Sequence, residues 1–484
     1  MALGLEFPDG ELSDTLFLGG VTDRSVRAWL RAPDATSVTV TLEVAGASHS
    51  VEARPDAGHD HVAAIDLTLD AAHPGEEFVV TAGSHRRIGR FAPSAASPAP
   101  FTFAFGSCHQ PFQPNDDNRL AKHAGAAIYP PLLTLMREHD ARFLLLNGDQ
   151  VYSDGVDGQS VRKWARNRSA DDKPSFEEYL GAYRHLYRGY FNESGFRALL
   201  EAFPTRMMWD DHDIADSWGS RFIEVEEDRQ MYRAASQTFR EYQRARALGA
   251  PFGGEAPYHH EFRYGDTAFW VMDLRGIRSW QDEVVLGEAQ LADTAAFLDR
   301  ARADEIRTVF VVASIPVIHF SPAIVSVLQW VPGNKGSDVR DRWDAAPFRE
   351  ERDRLIELLT AWQRLDPRHQ VVVLSGDVHA GAAFIVRDRR TGGRFHQWTS
   401  SSLSAPGGLA HNVANRVGSR LVNWGERVCE AARVGVDPRN NAGLVRVRPI
   451  EGGGHHVTFH LYAHDAHGSL VRSIHASAIP PGPA

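Results

Sequence analysis

Six short apolar runs constrain this chain more than any other feature of its sequence. They are Phe101 to Phe105, Phe143 to Leu146, Met207 to Trp209, Ala268 to Met272, Val309 to Ala313 and Val371 to Leu374. Unbroken apolar runs of this length fit strands buried on both faces. Between them lie segments of helical spacing at 176–200, 225–248, 287–303 and 348–364. The alternation predicts an α/β domain. Near the end, Gly443 to Arg448 and His456 to Ala463 flank Glu451-Gly452-Gly453-Gly454, the pattern of a closing hairpin.

The residues just after each run carry the chemistry. The runs close on Gly106-Ser107-Cys108-His109, Asn147-Gly148-Asp149-Gln150-Val151-Tyr152, Asp210-Asp211-His212-Asp213, Asp273-Leu274-Arg275, Ser314-Ile315-Pro316 and Ser375-Gly376-Asp377-Val378-His379. Ligands of open α/β sheets sit at the carboxyl ends of the strands. These distant segments are therefore expected to meet at one site.

The first hundred residues read differently. Val26 to Leu30, Val38 to Val44 and Phe78 to Thr81 are short strands separated by Gly, Pro and Asp turns. They predict a small antiparallel sandwich over 1–100, closed by a Pro-rich linker from Phe91 to Pro100. The second domain is expected to span 101–484.

Composition removes several classes. With 43% hydrophobic and 24% charged residues the chain is of ordinary globular make-up. No apolar run reaches the roughly 18–20 residues of a membrane span. A net charge of −10 argues against nucleic acid as a partner. The two cysteines, Cys108 and Cys429, exclude a disulfide framework. The N-terminus shows neither a signal peptide nor a twin arginine, so cytoplasmic residence is expected unless a leader has been removed.

Each acid read alone is equally a helix N-cap, and Cys108 alone is a small buried hydrophobe. With 23 histidines in the chain a lone one means little, and His59, His123 and His455 read as surface residues. Three carboxylates at one buried strand end are a different matter, because their repulsion is costly unless cations offset it. Cys, Asp and His together suit a transition metal beside a harder cation. Two such ions generate hydroxide near neutral pH and clamp a displacement at phosphorus. Asp149 is the natural bridging ligand, since Gly148 allows a close backbone approach. Two rivals stand beside this reading. One is a hydrolase with a Cys108 nucleophile, the other a non-hydrolytic protein that binds a phosphate ligand around structural metals. A Gly-x-Ser-x-Gly elbow is absent from the sequence.

The ordered motifs Gly-Ser-Cys, Gly-Asp-Gln-Val-Tyr, Trp-Asp-Asp-His-Asp, Asp-Leu-Arg and Ser-Gly-Asp-Val-His resemble the PhoD-type alkaline phosphatases, a branch of the metallophosphoesterases. Asp341-Arg342-Trp343-Asp344 and the Gly19-Gly20-Val21-Thr22 entry strand fit the same family. The resemblance implies a four-layer α/β/β/α domain behind a small β-sandwich, and hydrolysis of phosphomonoesters or phosphodiesters by a metal-bound hydroxide. It implies a ferric ion with calcium beside it, with Mn, Mg or Zn as alternatives. Carried over, Cys108 and Tyr183 become iron ligands and Asp149 the bridge. Asp210, Asp211, Asp377 and His379 become further ligands, and His212 assists the leaving group. Arg275 and Arg278 would bind phosphate oxygens. The leaving-group pocket is expected from the loops 153–175, 217–230 and 318–345, whose Trp164, Trp218, Trp330 and Val325 to Leu328 suggest a lid, a substrate wall or a subunit contact. The leaving group and the oligomeric state leave no mark in the sequence.

Overall fold

A computed structural model describes residues 3–114, 119–154, 160–220, 226–251, 257–330, 339–405, 407 and 409–480. Parts of the three expected pocket loops, 155–159, 221–225 and 331–338, lie outside the described residues.

Each of the six apolar runs is a strand, and two sheets share them. The first sheet runs in the order Thr205–Met208, Ala141–Asn147, Phe101–Gly106, Asn441–Pro449, His455–His464, Leu470–Ala478. Its first three strands are parallel and the rest antiparallel. The expected closing hairpin is thus an integral part of this sheet. The second has the order His260–Tyr264, Thr267–Val271, Thr308–Val312, Gln370–Ser375, Arg394–Thr399, Gly381–Asp388, Cys429–Asp437. Four of these, from Thr267–Val271 to Arg394–Thr399, are parallel.

The sheets face each other across an aromatic core. Phe103 stacks on Phe143 at 4.9 Å between ring centres and meets Phe269 and Phe310 edge-on at 5.6 and 5.5 Å. Trp398 stacks on Phe459 from the opposite sheet at 5.3 Å. A buried phenylalanine contributes about 1.5–3 kcal/mol by removal from water, and truncating Phe103 is expected to cost roughly 3–5 kcal/mol.

Helices cover both outer faces, which makes four layers, α/β/β/α. On one side Tyr129–Glu138, Phe176–Phe191, Ser194–Ala202 and Glu226–Tyr242 pack on the first sheet. On the other, Gly287–Ala303 and Arg349–Arg364 pack on the second. The single helix expected over 176–200 is two. Ser175 and Glu178 close a capping box at the first. The Glu193 carboxylate then accepts the Phe196 N–H at 2.7 Å and starts a second helix in a new direction.

Seven strands between Thr15 and Arg90 form a three-stranded and a four-stranded sheet around their own apolar core. This unit is anchored to the larger one. Trp29 donates its indole N–H to the Glu241 carbonyl at 2.7 Å, and Arg27 reaches the carbonyls of Ala245 and Ala250 at 2.8 Å. Gly19 lies so close to the turn Arg244–Arg246 that a Cβ there would sit 2.1 Å from the Arg246 carbonyl oxygen.

His455 is a correction to the sequence reading. It is 1% exposed and bonds Thr308 and Asp266 between the sheets. Both cysteines are buried free thiols.

Candidate metal centre

The parallel strands of both sheets end at the same edge, and the turns beyond them meet there. Cys108, Asp149, Asp377 and His379 all adopt left-handed backbone, with φ of 59°, 56°, 65° and 47°. Such conformations are costly for non-glycine residues and mark functional turns. Two glycines make the crowding possible. A Cβ on Gly148 would lie 2.6 Å from Asp210 Cβ, and one on Gly376 would lie 2.3 Å from Ser107 Oγ.

Within this crevice Asp149, Asp211 and His212 bring one ligand-type atom each within 4.8 Å of one another, and so do Asp210, Asp211 and Asp377. Asp211 is common to both groups. Cys108 Sγ lies 3.4 Å from Asp149 Oδ2 and 3.1 Å from Ser401 Oγ. Tyr152 Oη stands 3.4 Å from both Asp149 Oδ2 and His379 Nε2. A cleft of about 160 Å³ opens onto these groups, lined among others by Asp211, His212, Asp341, Arg342, Asp377 and His379.

The electrostatics of the bare site are unfavourable to its acids. Burial, and then the Cys108 sulfur, pushes Asp149 well above the ordinary carboxylate range. Burial also raises Asp210 and Asp377, despite an arginine beside each. Asp210 Oδ2 is buried without a hydrogen-bond donor, and Asp211 Oδ1 has only the Arg275 guanidinium 3.4 Å away. Buried carboxylates in this state accept cations readily, and a cation reverses the shifts. The donor set fits metal ions: hard carboxylates, one imidazole from each sheet, a phenol and a thiol.

Asp213, the last acid of Asp-Asp-His-Asp, turns away and clamps the ligand-bearing turns. Its carboxylate accepts the backbone N–H groups of Asp149 at 2.9 Å, Gln150 at 3.2 Å and Asp210 at 2.8 Å. Gln243 donates to it as well, at 2.9 Å, from the end of the helix that carries the sandwich.

His212 lies at the cleft with Nδ1 2.7 Å from Asp154 Oδ1, and its ring stacks on Tyr152 at 4.2 Å. Burial favours the neutral ring, yet Asp211, Asp154 and Asp149 together raise it well above the ordinary histidine value. Asp154 stands two residues beyond the Gly-Asp-Gln-Val-Tyr motif, and the sequence does not single it out.

Three expected residues stand elsewhere. The fully buried Tyr183 donates its hydroxyl to the Ile214 carbonyl instead of facing the crevice. Tyr152, three residues after Asp149, is the tyrosine that stands in the crevice. Arg275 and Arg278 do not line the cleft. Arg275 is enclosed by Asp210 and Asp341, with both Asp341 oxygens at 2.7 Å. Arg278 donates to the Asp341 carbonyl at 2.8 Å and lies over Phe348. The arginine in the cleft is Arg342, paired with Asp377.

The thiol-nucleophile alternative is not served by the histidine next to Cys108. His109 is stacked on Phe196 at 3.8 Å, with its ring nitrogens toward Tyr129 and the Tyr190 carbonyl, and burial lowers it to about 3. Burial pushes the Cys108 thiol up to about 12. A protonated thiol is a poor nucleophile, whereas a bound metal deprotonates it.

Two facing sheets between helical layers, with an acid-lined crevice at the strand ends, define a protein of metallophosphoesterase fold. Residues 103–428 match the family model described as PhoD-like phosphatase, and the chain belongs to that family. Alkaline phosphatase D of Bacillus subtilis (strain 168) is 25% identical over 393 residues, covering 74% of this chain and 63% of that protein. The chain therefore spans less than two thirds of that relative's length. A solved structure of PhoD superposes with a TM-score of 0.66 at 17% identity, covering 96% of this chain and 90% of the other. A purple acid phosphatase, PPD1 from yellow lupin (Lupinus luteus) seeds, superposes with a TM-score of 0.57 at 9% identity over 96% and 74% of the two chains. These two share the fold.

Proposed function

We propose that this chain is a metal-dependent phosphoesterase acting on small phosphomonoesters or phosphodiesters. The observation that carries the proposal is the pair of acid-centred groups joined through Asp211, buried and short of donors. Cys108, Asp149, Tyr152 and His379 would hold one ion, and Asp210, Asp211 and Asp377 a second, with Asp149 next to Asp211 as the bridging carboxylate. The family resemblance favours a ferric ion and calcium for these places, with Mn, Mg or Zn as alternatives. When bound, such ions supply Lewis acidity toward a phosphoryl oxygen and lower the pKa of a coordinated water.

The chain's own groups do the rest. His212 presents its ring at the cleft, paired with Asp154, where it would hold a proton for the leaving-group oxygen. Asp154 fixes its ring through Nδ1. Arg342 places a guanidinium beside the phosphoryl position, the role that the family resemblance would give Arg275. Asp213 holds the two acid-bearing turns in register, which preserves the spacing of the ligands. The small sandwich, which we divide from the catalytic domain near residue 100, supports that clamp through Glu241 and Gln243.

Turnover of p-nitrophenyl phosphate and bis-p-nitrophenyl phosphate before and after chelation tests the reading. Activity is expected to vanish with a chelator and return with metal. Full activity in the chelated protein would contradict it.

A further inference from the structure

The described surface carries an apolar face beside the cleft that phosphoester hydrolysis does not explain. Trp330 is 72% exposed and Trp424 61%, and Val327, Leu328, Val413, Val417 and Leu421 are exposed with them. Isolated exposed apolar residues are ordinary, whereas a gathered set marks an interaction surface.

The two segments form one surface. Ser321 caps the helix Pro322–Leu328, and its hydroxyl donates to the Trp424 carbonyl at 2.6 Å. The Ala323 N–H reaches the same carbonyl at 3.3 Å. Gly418 rests on Phe320, where a Cβ would lie 2.3 Å from the ring. This surface adjoins the cleft wall. Asn415, on the inner side of the helix Leu409–Gly418, donates to the Val378 carbonyl between Asp377 and His379 at 2.9 Å. Val413 and Val417, one turn apart, face outward from the same helix. Phe320 lies under Arg342, with 5.6 Å from guanidinium to ring centre.

Charge identifies the occupant. Within 321–330 and 412–427 the exposed charged residues are Arg416, Arg420 and Arg427. The one acid there, Glu426, is buried against Arg352 at 2.9 Å. The whole chain carries −10, so this basic face is a local exception. A second copy docked here about a two-fold axis would set arginine against arginine, with no exposed acid within 321–330 or 412–427 to pair them. Tryptophan and aliphatic residues interleaved with arginine match the boundary between lipid headgroups and acyl chains.

We propose that this face docks on an anionic phospholipid surface.

The test is sedimentation of the full chain with phosphatidylcholine vesicles, with and without phosphatidylglycerol, together with tryptophan emission. The wild type is expected to partition about tenfold or more in favour of the anionic vesicles, with a blue shift, and to be released by salt. Val417→Asp with Trp424→Ser should abolish partitioning, and Arg416→Gln with Arg420→Gln should weaken it by roughly fivefold per charge. Neither pair should alter p-nitrophenyl phosphate turnover. Absence of vesicle binding, or binding untouched by these substitutions, would overturn the proposal. So would a wild-type dimer in sedimentation velocity that Val417→Asp and Trp424→Ser dissociate. Because partitioning is read without turnover, an inactive wild type would count against the phosphoesterase reading alone.

Discussion

Two sets of buried acids share one crevice and solve the same problem in opposite ways. Asp341 is enclosed by Arg275 and Arg278, which hold it far below the ordinary carboxylate range although burial works against them. Asp149 has no arginine beside it among the described residues, and burial pushes it far above that range despite His212 nearby. Both are 4% exposed or less. An acid neutralised by the protein is part of the scaffold, whereas one left uncompensated is reserved for a cation the protein does not encode. Asp210 stands between the two, with one oxygen held by Arg275 and Ser314 and the other without a donor.

Substitutions should separate the two sets, and the largest effect is on rate. Asp149→Asn is expected to lower aryl phosphate turnover by about 10³-fold, the scale of losing one key electrostatic group. Melting of the metal-free variant should stay within about 1 kcal/mol of wild type, since an uncompensated charge has been removed. Asp341→Asn should do the reverse first. It removes the two-pronged partner of Arg275, leaving that guanidinium to Asp210 and Asp211, and is expected to cost about 3 kcal/mol in denaturant unfolding.

Asp154→Asn probes the histidine between them. Asp154 is one of the acids that raise His212, so its removal lowers the histidine. A histidine serving as proton donor loses activity above its own pKa. The alkaline limb of the variant's pH–rate profile should therefore move to lower pH, with a roughly 10–100-fold lower rate. An unmoved limb would take the proton-donor role away from His212.

The smallest effect lies far from the crevice, where an ion pair has no catalytic part. A hydrogen bond from His185 lowers Glu11 to about 2, against burial and with help from Arg188. This depressed carboxyl contributes stability that is present above its unfolded value of 4.5 and lost as pH falls toward 2. Exposure screens it, so Glu11→Gln should cost about 1 kcal/mol or less at neutral pH and nothing at pH 2. Melting temperatures of the two proteins across that window check it.

The same contrast explains what the sequence disclosed. Strands were legible because a doubly buried strand must be apolar throughout, and their closing acids were legible because nothing apolar justifies them there. The arginines mislead for a physical reason. Asp273-Leu274-Arg275 announces a guanidinium near the site, but only the fold brings Asp341, sixty-six residues away, to consume it. Tyr183 misleads for a related reason, since its helix Phe176–Phe191 is buried on most sides and one buried tyrosine there resembles the next. Tyr152 carries the better signal, standing three residues after Asp149 in a turn rather than a helix. Strands at 381–388, 394–399 and 429–437 escape because polar or small residues interrupt them.

Element-resolved metal analysis of protein purified without added ions tests the central claim most directly, with Asp211→Asn and Arg278→Lys beside the wild type. Asp211 belongs to both acid groups. Wild type and Arg278→Lys are expected to carry about two ions per chain, and Asp211→Asn at least one fewer. A wild-type protein that turns over phosphate esters with no metal above background would contradict the account.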